Sequence, residues 1–275
     1  MCIRDSIRGI AFAAAAAFVI LAVVLRARHD LWGERLIVSE MIRAGLDFHS
    51  NAPLGMLLNH LFFIAGNSLF LLDPAASTSI LGIIAGGCFV LGAFHLAGII
   101  AGGDRGDRAA AARLLVLNGY IALFFGAGGN APIAMLFSLL FIAGALLHLR
   151  GRAPLLVPSA LFLAASLSHV SALYLLPPLA YLIARGLGRS ARRREALNAC
   201  FATAGVWIVV EVAARAIWRV PGPAQNLLSR ALASLSITGG ALLAESVTGA
   251  LNALLLMGPA AFAALAPVSY THLRA

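Results

Sequence analysis

Charged side chains are scarce in this sequence, and lysine is absent altogether. Only 11% of the residues are charged, whereas a soluble domain carries about a quarter. Hydrophobic residues make up 61% of the chain, and the mean hydropathy is +0.93. This composition excludes an ordinary soluble globular domain.

The alternating apolar and polar pattern of a transmembrane barrel is also missing. Long apolar runs take its place, and a run of roughly 20 residues crosses a bilayer as a helix. We therefore predict an all-α, polytopic transmembrane helical bundle with about eight spans plus juxtamembrane helices. The apolar segments lie at about 8–26, 54–72, 78–102, 114–127, 132–149, 154–170, 171–185, 197–218 and 241–266. In the third segment, small-residue helix faces predict close packing, through Gly82, Gly86, Gly87 and Gly92.

Cysteine and the common catalytic motifs are scarce too. The chain has 3 cysteines, and Cys88 and Cys200 lie singly in apolar runs, which gives neither a disulfide framework nor a metal-ligand spacing. No zinc-protease HExxH motif, P-loop or nucleophile elbow occurs. Any chemistry must therefore come from isolated polar residues.

Both ends of the sequence read as translated sequencing adapter. Residues 1–6 are encoded by ATGTGTATAAGAGACAGN, and residues 268–272 by GTCTCTTATACACAT, its reverse complement over the shared length. We exclude residues 1–6 and 267–275 from the fold reasoning. We expect residues 7–266 to form a single transmembrane domain that is incomplete at both ends.

The formal net charge of +9 comes from arginines in short loops. Arginine-rich loops stay on the cytoplasmic side of a membrane, so we interpret them as topology signals of a bacterial inner-membrane protein and not as a nucleic-acid surface. Two apolar segments lie between each arginine cluster and the next, which is the arrangement that places all the clusters on the same face of the membrane. The clusters lie at 105–113, 150–152 and 185–194.

The polar stretch 27–53 leaves the first part of the topology open. If 54–72 crosses the membrane, this stretch is cytoplasmic; if 54–72 lies in the interface or re-enters, the stretch is periplasmic. The run contains Asn59, His60 and the Gly66–Ser68 triplet, which a lipid-facing span tolerates poorly. We favour the periplasmic alternative.

The order of features resembles the GT-C membrane glycosyltransferases, especially the dolichyl-phosphate-mannose and aminoarabinose transferase-like family. Residues 29–34 read His-Asp-Leu-Trp-Gly-Glu, 39–45 read Ser-Glu-Met-Ile-Arg-Ala-Gly, and 52–55 read Ala-Pro-Leu-Gly. Residues 166–171 read Ser-Leu-Ser-His-Val-Ser, and Pro177 and Pro178 follow downstream, where we expect them to bend the segment 171–185. These stretches are similar to the family's acidic loop start, its EM-(x)3-G helix end, its Pro-Leu entry and its Ser-His turn.

Two departures accompany the resemblance. The acidic residue that the family often carries on its second external loop is replaced by Gly-Gly-Asn-Ala-Pro at 128–132. Glu34 stands where an aromatic residue usually follows the first aspartate. A different sugar or acceptor, a divergent subfamily, or lost activity would each account for them.

The resemblance gives Asp30 the catalytic role of orienting or deprotonating the acceptor hydroxyl. Glu34 follows four residues later, so a helix would place both carboxylates on one face, where they could share Mg²⁺ or Mn²⁺ with a substrate phosphate. No metal ligand set is firm. The alternative is a solvated juxtamembrane loop with Glu34 paired to Arg35 or Arg43.

Three cationic residues are candidates for binding the lipid phosphate: Arg28, His169 and Arg215. Each has a structural alternative. Arg28 flanks a span, His169 lies in a polar turn, and Arg215 is spaced to pair with Glu211 one helical turn earlier.

The resemblance implies a membrane glycosyltransferase that takes its sugar from a polyprenyl-phosphate lipid at the periplasmic face. Membrane lipids are expected partners, and nucleic acid is not. Two other functions stay open: a transporter or flippase of a lipid-linked or small substrate, and a non-catalytic membrane scaffold of the same fold.

Overall fold

The computed structural model describes residues 3–25, 34–101, 105–117, 121, 124–125 and 129–220. All regular structure in these ranges is helical. The α-helices are α1 (Ile3–Leu25), α2 (Glu34–Arg43), α3 (Pro53–Phe70), α4 (Pro74–Ile100), α5 (Arg105–Val116), α6 (Ala131–Leu149), α7 (Leu156–Ser168), α8 (Leu176–Leu187) and α9 (Arg193–Ala216), with 3₁₀ turns at Val170–Leu175 and Ser190–Arg192.

Five helical stretches in the described ranges are long and apolar enough to cross a membrane, which indicates a membrane protein. The predicted segment at 241–266 lies outside the described residues, and α5 overlaps only the beginning of the predicted segment 114–127. The five stretches are Pro53–Phe70, Pro74–Ile100, Ala131–Leu149, Val170–Leu187 and Ser190–Ala216.

Prolines mark where several helices begin. Pro53 and Pro74 each occupy the first turn of a helix, where no backbone donor is needed. Asp73 caps α4 by accepting a hydrogen bond of 2.8 Å from the Ala76 backbone N–H. Pro177, which the sequence predicted would bend a span, instead lies in the first turn of α8. The turn predicted between the two halves of 154–185 is present, because α7 ends at Ser168.

Helix α4 lies at the centre of the bundle and packs against α1, α2, α3, α5 and α6. Its glycines allow this close approach, as their spacing predicted. A Cβ on Gly86 would lie 2.5 Å from the Phe18 ring of α1 and 2.6 Å from Phe124, and one on Gly92 would lie 2.9 Å from Leu139 of α6. Small residues at such contacts let helix backbones approach each other.

Helices α4 and α6 both begin beside α2. Arg35 Nη1 donates a hydrogen bond of 3.0 Å to Ser79 Oγ near the start of α4, and Asn130, just before α6, donates to Glu34. We call this end of the bundle the Glu34 end. The opposite end, where α4 and α6 finish, is the arginine end.

The arginine-rich loops converge on the arginine end. A Cβ added to Gly98, near the end of α4, would lie 3.1 Å from the guanidinium group of Arg108 in α5. One added to Gly151, just after α6, would lie 3.6 Å from the guanidinium group of Arg192. The backbone N–H of Leu155 donates to the carboxylate of Glu195. All three clusters therefore share one face, as their spacing predicted.

Helix α3 begins at the Glu34 end, and only residues 71–73 separate its last residue from α4. Near its start, a Cβ on Gly55 would lie 2.5 Å from the Ser168 carbonyl oxygen and 2.7 Å from Asn130 Oδ1. The next helix, α4, already contacts α2 through Ser79. The chain therefore leaves and resumes at the same end, which agrees with the favoured interpretation that 54–72 does not cross.

We predict that Gly86→Ala lowers the free energy of unfolding by about 1–3 kcal/mol, because its methyl group would clash with Phe18 and Phe124. Gly205→Ala is the matched control, since nothing lies within 4 Å of a Cβ there. Denaturant titration of both variants in detergent measures the difference. Equal stability of the two variants would contradict the packing at Gly86.

Candidate functional site

Glu34 opens α2 and is held by Asn130, the residue just before α6. The Asn130 backbone N–H donates to Glu34 Oε2 at 2.9 Å, and the Asn130 side-chain amide donates to Glu34 Oε1 at 3.0 Å. Hydrogen bonds to an ionised acceptor are among the stronger ones in proteins. This two-point contact fixes both oxygens of the carboxylate at the Glu34 end.

Asn130 is itself fully buried and is oriented from a third element. The side-chain amide of Asn59, in α3, donates to Asn130 Oδ1 at 3.1 Å and to the Gly55 carbonyl at 2.9 Å. Both asparagines have 0% exposure. A chain of amide hydrogen bonds therefore connects α3, the start of α6 and Glu34. We call Glu34, Asn59, Asn130 and His169 the polar cluster.

Two glycines make room for the polar cluster. Gly129 has φ of +84°, and a Cβ there would lie 2.8 Å from the Glu34 Cβ. Such a left-handed conformation strains most other residues. Gly55 lets α3 approach Asn130 and the end of α7. Both positions require glycine for the polar cluster to close.

His169 joins the polar cluster from the turn between α7 and the following 3₁₀ helix. The Ser171 backbone N–H donates to His169 Nδ1 at 3.2 Å, and Ser171 Oγ lies 2.7 Å from the same nitrogen. Since Nδ1 accepts, the proton of the neutral ring is on Nε2. His169 Nε2 lies 3.8 Å from Glu34 Oε1, and the two side chains are 27% and 21% exposed. A ligand at this end can therefore reach both groups.

The structure brings two of the predicted site residues together, Glu34 and His169. Arg215 instead pairs with Glu211 at 2.9 Å and is 60% exposed, so the ion-pair interpretation of this residue agrees with the geometry. Asp30 and Arg28 lie outside the described residues.

The expected alternative pairing of Glu34 with Arg43 is wrong. Arg43 pairs with Glu40 on the exposed side of α2, while the carboxylate of Glu34 faces Asn130. The length of α2 explains this result, because Glu34 and Arg43 are its first and last residues and lie about 14 Å apart along the helix axis.

Metal-ligating side chains do not cluster in the part of the chain that the structure describes: no group of three His, Cys, Asp or Glu residues occurs there. The cation site suggested for Asp30 and Glu34 stays a prediction, because one of its two carboxylates falls outside those residues. Both oxygens of the Glu34 carboxylate accept hydrogen bonds from Asn130.

The sequence reasoning missed Asn59, Asn130 and Arg35 as parts of this end of the bundle. A signal for Asn59 was present, since a polar residue inside an apolar run needs a partner within the protein. The Gly-Gly-Asn-Ala-Pro stretch had been interpreted only as the loss of an acidic residue. The structure shows instead that its asparagine binds an acidic residue contributed by α2.

No known protein-family model, curated protein or solved structure matches this chain.

We predict that Asn130→Ala destabilises the fold by about 2 kcal/mol, because Glu34 Oε1 loses its charge-assisted hydrogen bond from the Asn130 side-chain amide and Asn59 loses an acceptor. The backbone N–H of residue 130 still donates to Glu34 Oε2. Combining Asn130→Ala with Glu34→Gln in a double-mutant cycle should give a coupling energy of about 1–3 kcal/mol. Unfolding in detergent, followed by circular dichroism, measures both quantities.

Glu40→Gln is the control for this cycle. It removes an exposed ion pair from the same helix and should change the stability by less than about 0.5 kcal/mol. Additive effects of Asn130→Ala and Glu34→Gln would contradict the contact between the two residues.

Proposed function

We propose that the chain is a membrane glycosyltransferase that takes a sugar from a polyprenyl-phosphate lipid at the Glu34 end. The observation that carries the proposal is the meeting of Glu34 and His169, a carboxylate and an imidazole from distant segments, at the end opposite the arginines. Positive-inside orientation would make this end periplasmic.

Asp30 takes the role of general base in this proposal. Both oxygens of Glu34 already accept hydrogen bonds from Asn130, which suits Glu34 to positioning. The acceptor hydroxyl oxygen forms a bond to the anomeric carbon, while the bond from that carbon to the phosphate oxygen breaks. The hydroxyl proton passes to Asp30, and the polyprenyl phosphate leaves with the electron pair of the broken bond.

His169 is suited to the leaving phosphate. Its Nε2–H is available because Ser171 holds Nδ1 as an acceptor, and a donor directed at the leaving group stabilises the negative charge that develops there. Glu34 Oε1 lies 3.8 Å from Nε2 and would help to orient the ring.

A non-catalytic scaffold is the second candidate function. The two-point contact between Glu34 and Asn130 favours it, because this contact joins α2 to the start of α6 as a purely structural interaction would. In that case Glu34 would affect stability alone, and Asp30 would have no role in turnover.

The experiment reconstitutes the full chain in vesicles that contain a bacterial envelope lipid extract as the source of acceptor hydroxyls, and supplies undecaprenyl phosphate carrying radiolabelled glucose, mannose or aminoarabinose. Release of undecaprenyl phosphate from one donor is expected. Asp30→Asn should lower kcat by at least about 100-fold, the usual effect of losing a general base. Glu34→Gln should lower kcat by about tenfold with KM nearly unchanged, since a misplaced group impairs the chemical step.

Glu40→Gln is the matched control on α2 and should keep turnover within about twofold of the parent chain, because its exposed pair does not face the polar cluster. Turnover that survives Asp30→Asn would overturn the proposed mechanism. A folded parent chain that releases no undecaprenyl phosphate from any donor would overturn the proposed function.

A further inference from the structure

A narrow cleft opens at the arginine end, between the end of α6 and the end of α8. It encloses about 10 Å³, which is room for about one water, so a larger ligand would bind over its opening. Its lining residues are His148, Leu149, Leu182, Arg185, Gly186, Arg189 and Arg192.

Close packing holds the walls of the cleft in place. A Cβ on Gly186 would lie 2.9 Å from the Ala196 Cβ, so α8 and α9 approach each other tightly here. The turn after α6 is closed by a contact of 3.0 Å between His148 Nδ1 and the Ala153 carbonyl oxygen. Gly151, with φ of +70°, brings that turn against Arg192.

The charge around the cleft is strongly one-sided. Arg185, Arg189 and Arg192 line it, and no described residue forms an ion pair or a side-chain hydrogen bond with them. Glu195, the nearest acidic residue in the sequence, accepts a hydrogen bond from the Leu155 backbone. Like charges held this close repel one another, and a bound anion would relieve the repulsion.

Membrane topology alone does not require this arrangement. The positive-inside rule needs arginines only on the correct side of the membrane, in any orientation. Arg193 and Arg194 meet that need, because they are exposed and lie outside the cleft lining. The convergence of three other arginines from α8 and the following turn on the end of α6 is an additional feature.

We propose that the three arginines around this cleft bind the headgroup of an anionic phospholipid. Guanidinium groups match the geometry of phosphate oxygens, and basic pockets between membrane helices on the cytoplasmic side suit such headgroups. The apolar neighbours favour a lipid over free phosphate: Leu149, which lines the cleft, is 37% exposed, and Leu187, two residues after Arg185, is 40% exposed. The acyl chains would lie along these leucines.

The experiment measures the lipid that the full chain retains in non-ionic detergent, by native mass spectrometry. The probe is an equimolar mixture of phosphatidylglycerol and phosphatidylcholine. We expect preferential retention of phosphatidylglycerol, and a loss of at least about tenfold in its retention for Arg185→Gln with Arg192→Gln. The double variant Arg185→Lys with Arg192→Lys keeps the charge but lacks the two-point guanidinium geometry. Its retention of phosphatidylglycerol should therefore fall about threefold.

Arg193→Gln with Arg194→Gln is the matched control, since it removes the same charge a few residues away and outside the lining. It should change retention by less than about twofold. Equal losses from both glutamine pairs would overturn the proposal, because general surface charge would then explain binding. Equal retention of phosphatidylcholine would overturn it too, as would displacement of the lipid by excess inorganic phosphate. If the Arg185 and Arg192 glutamine pair does not fold, unchanged retention by the lysine pair contradicts the proposal.

Discussion

The two-point hydrogen bond from Asn130 to the carboxylate of Glu34 is the interaction on which the Glu34 end depends. A membrane interior offers no water to satisfy polar groups, so each one needs a partner inside the protein. Asn59 satisfies the remaining acceptor of Asn130 and brings α3 into the same network. One chain of hydrogen bonds thus connects the short helix α2 and the transverse helix α3 to the core helix α6.

The same network determines what the Glu34 end can do. It holds the carboxylate in a single orientation and leaves His169 beside it, with both side chains partly exposed. The opposite end is arginine-rich and has its own cleft. The two ends therefore differ in charge: a carboxylate and an imidazole meet at one, and arginines converge at the other.

Local patterns predicted much of the fold. Apolar run lengths indicated the helices, the Ser-His stretch located the break after α7, and the glycines of α4 indicated its packing surface. The charged loops indicated which segments share an end. These features depend on residues close in the sequence, or on composition, so a single sequence reveals them.

The polar cluster depends on contacts between residues far apart in the chain, which no local pattern specifies. Glu34 and His169 were candidates because each is polar in a suggestive place, but their partners Asn130 and Asn59 became evident only from the packing of α2, α3 and α6. The role of Pro177 was also missed, because a proline starts a helix as readily as it bends one.

The transverse position of α3 is the central claim, because it places Glu34, Asn130 and His169 at one membrane face. Single cysteines at Leu46, Leu71 and Arg152, with the native cysteines replaced by serine, can be tested with a membrane-impermeant thiol reagent. On spheroplasts, positions 46 and 71 should react and position 152 should not, and inverted vesicles should reverse the pattern. Labelling of position 71 from the same side as position 152 would mean that α3 crosses the membrane, which would contradict the proposed site.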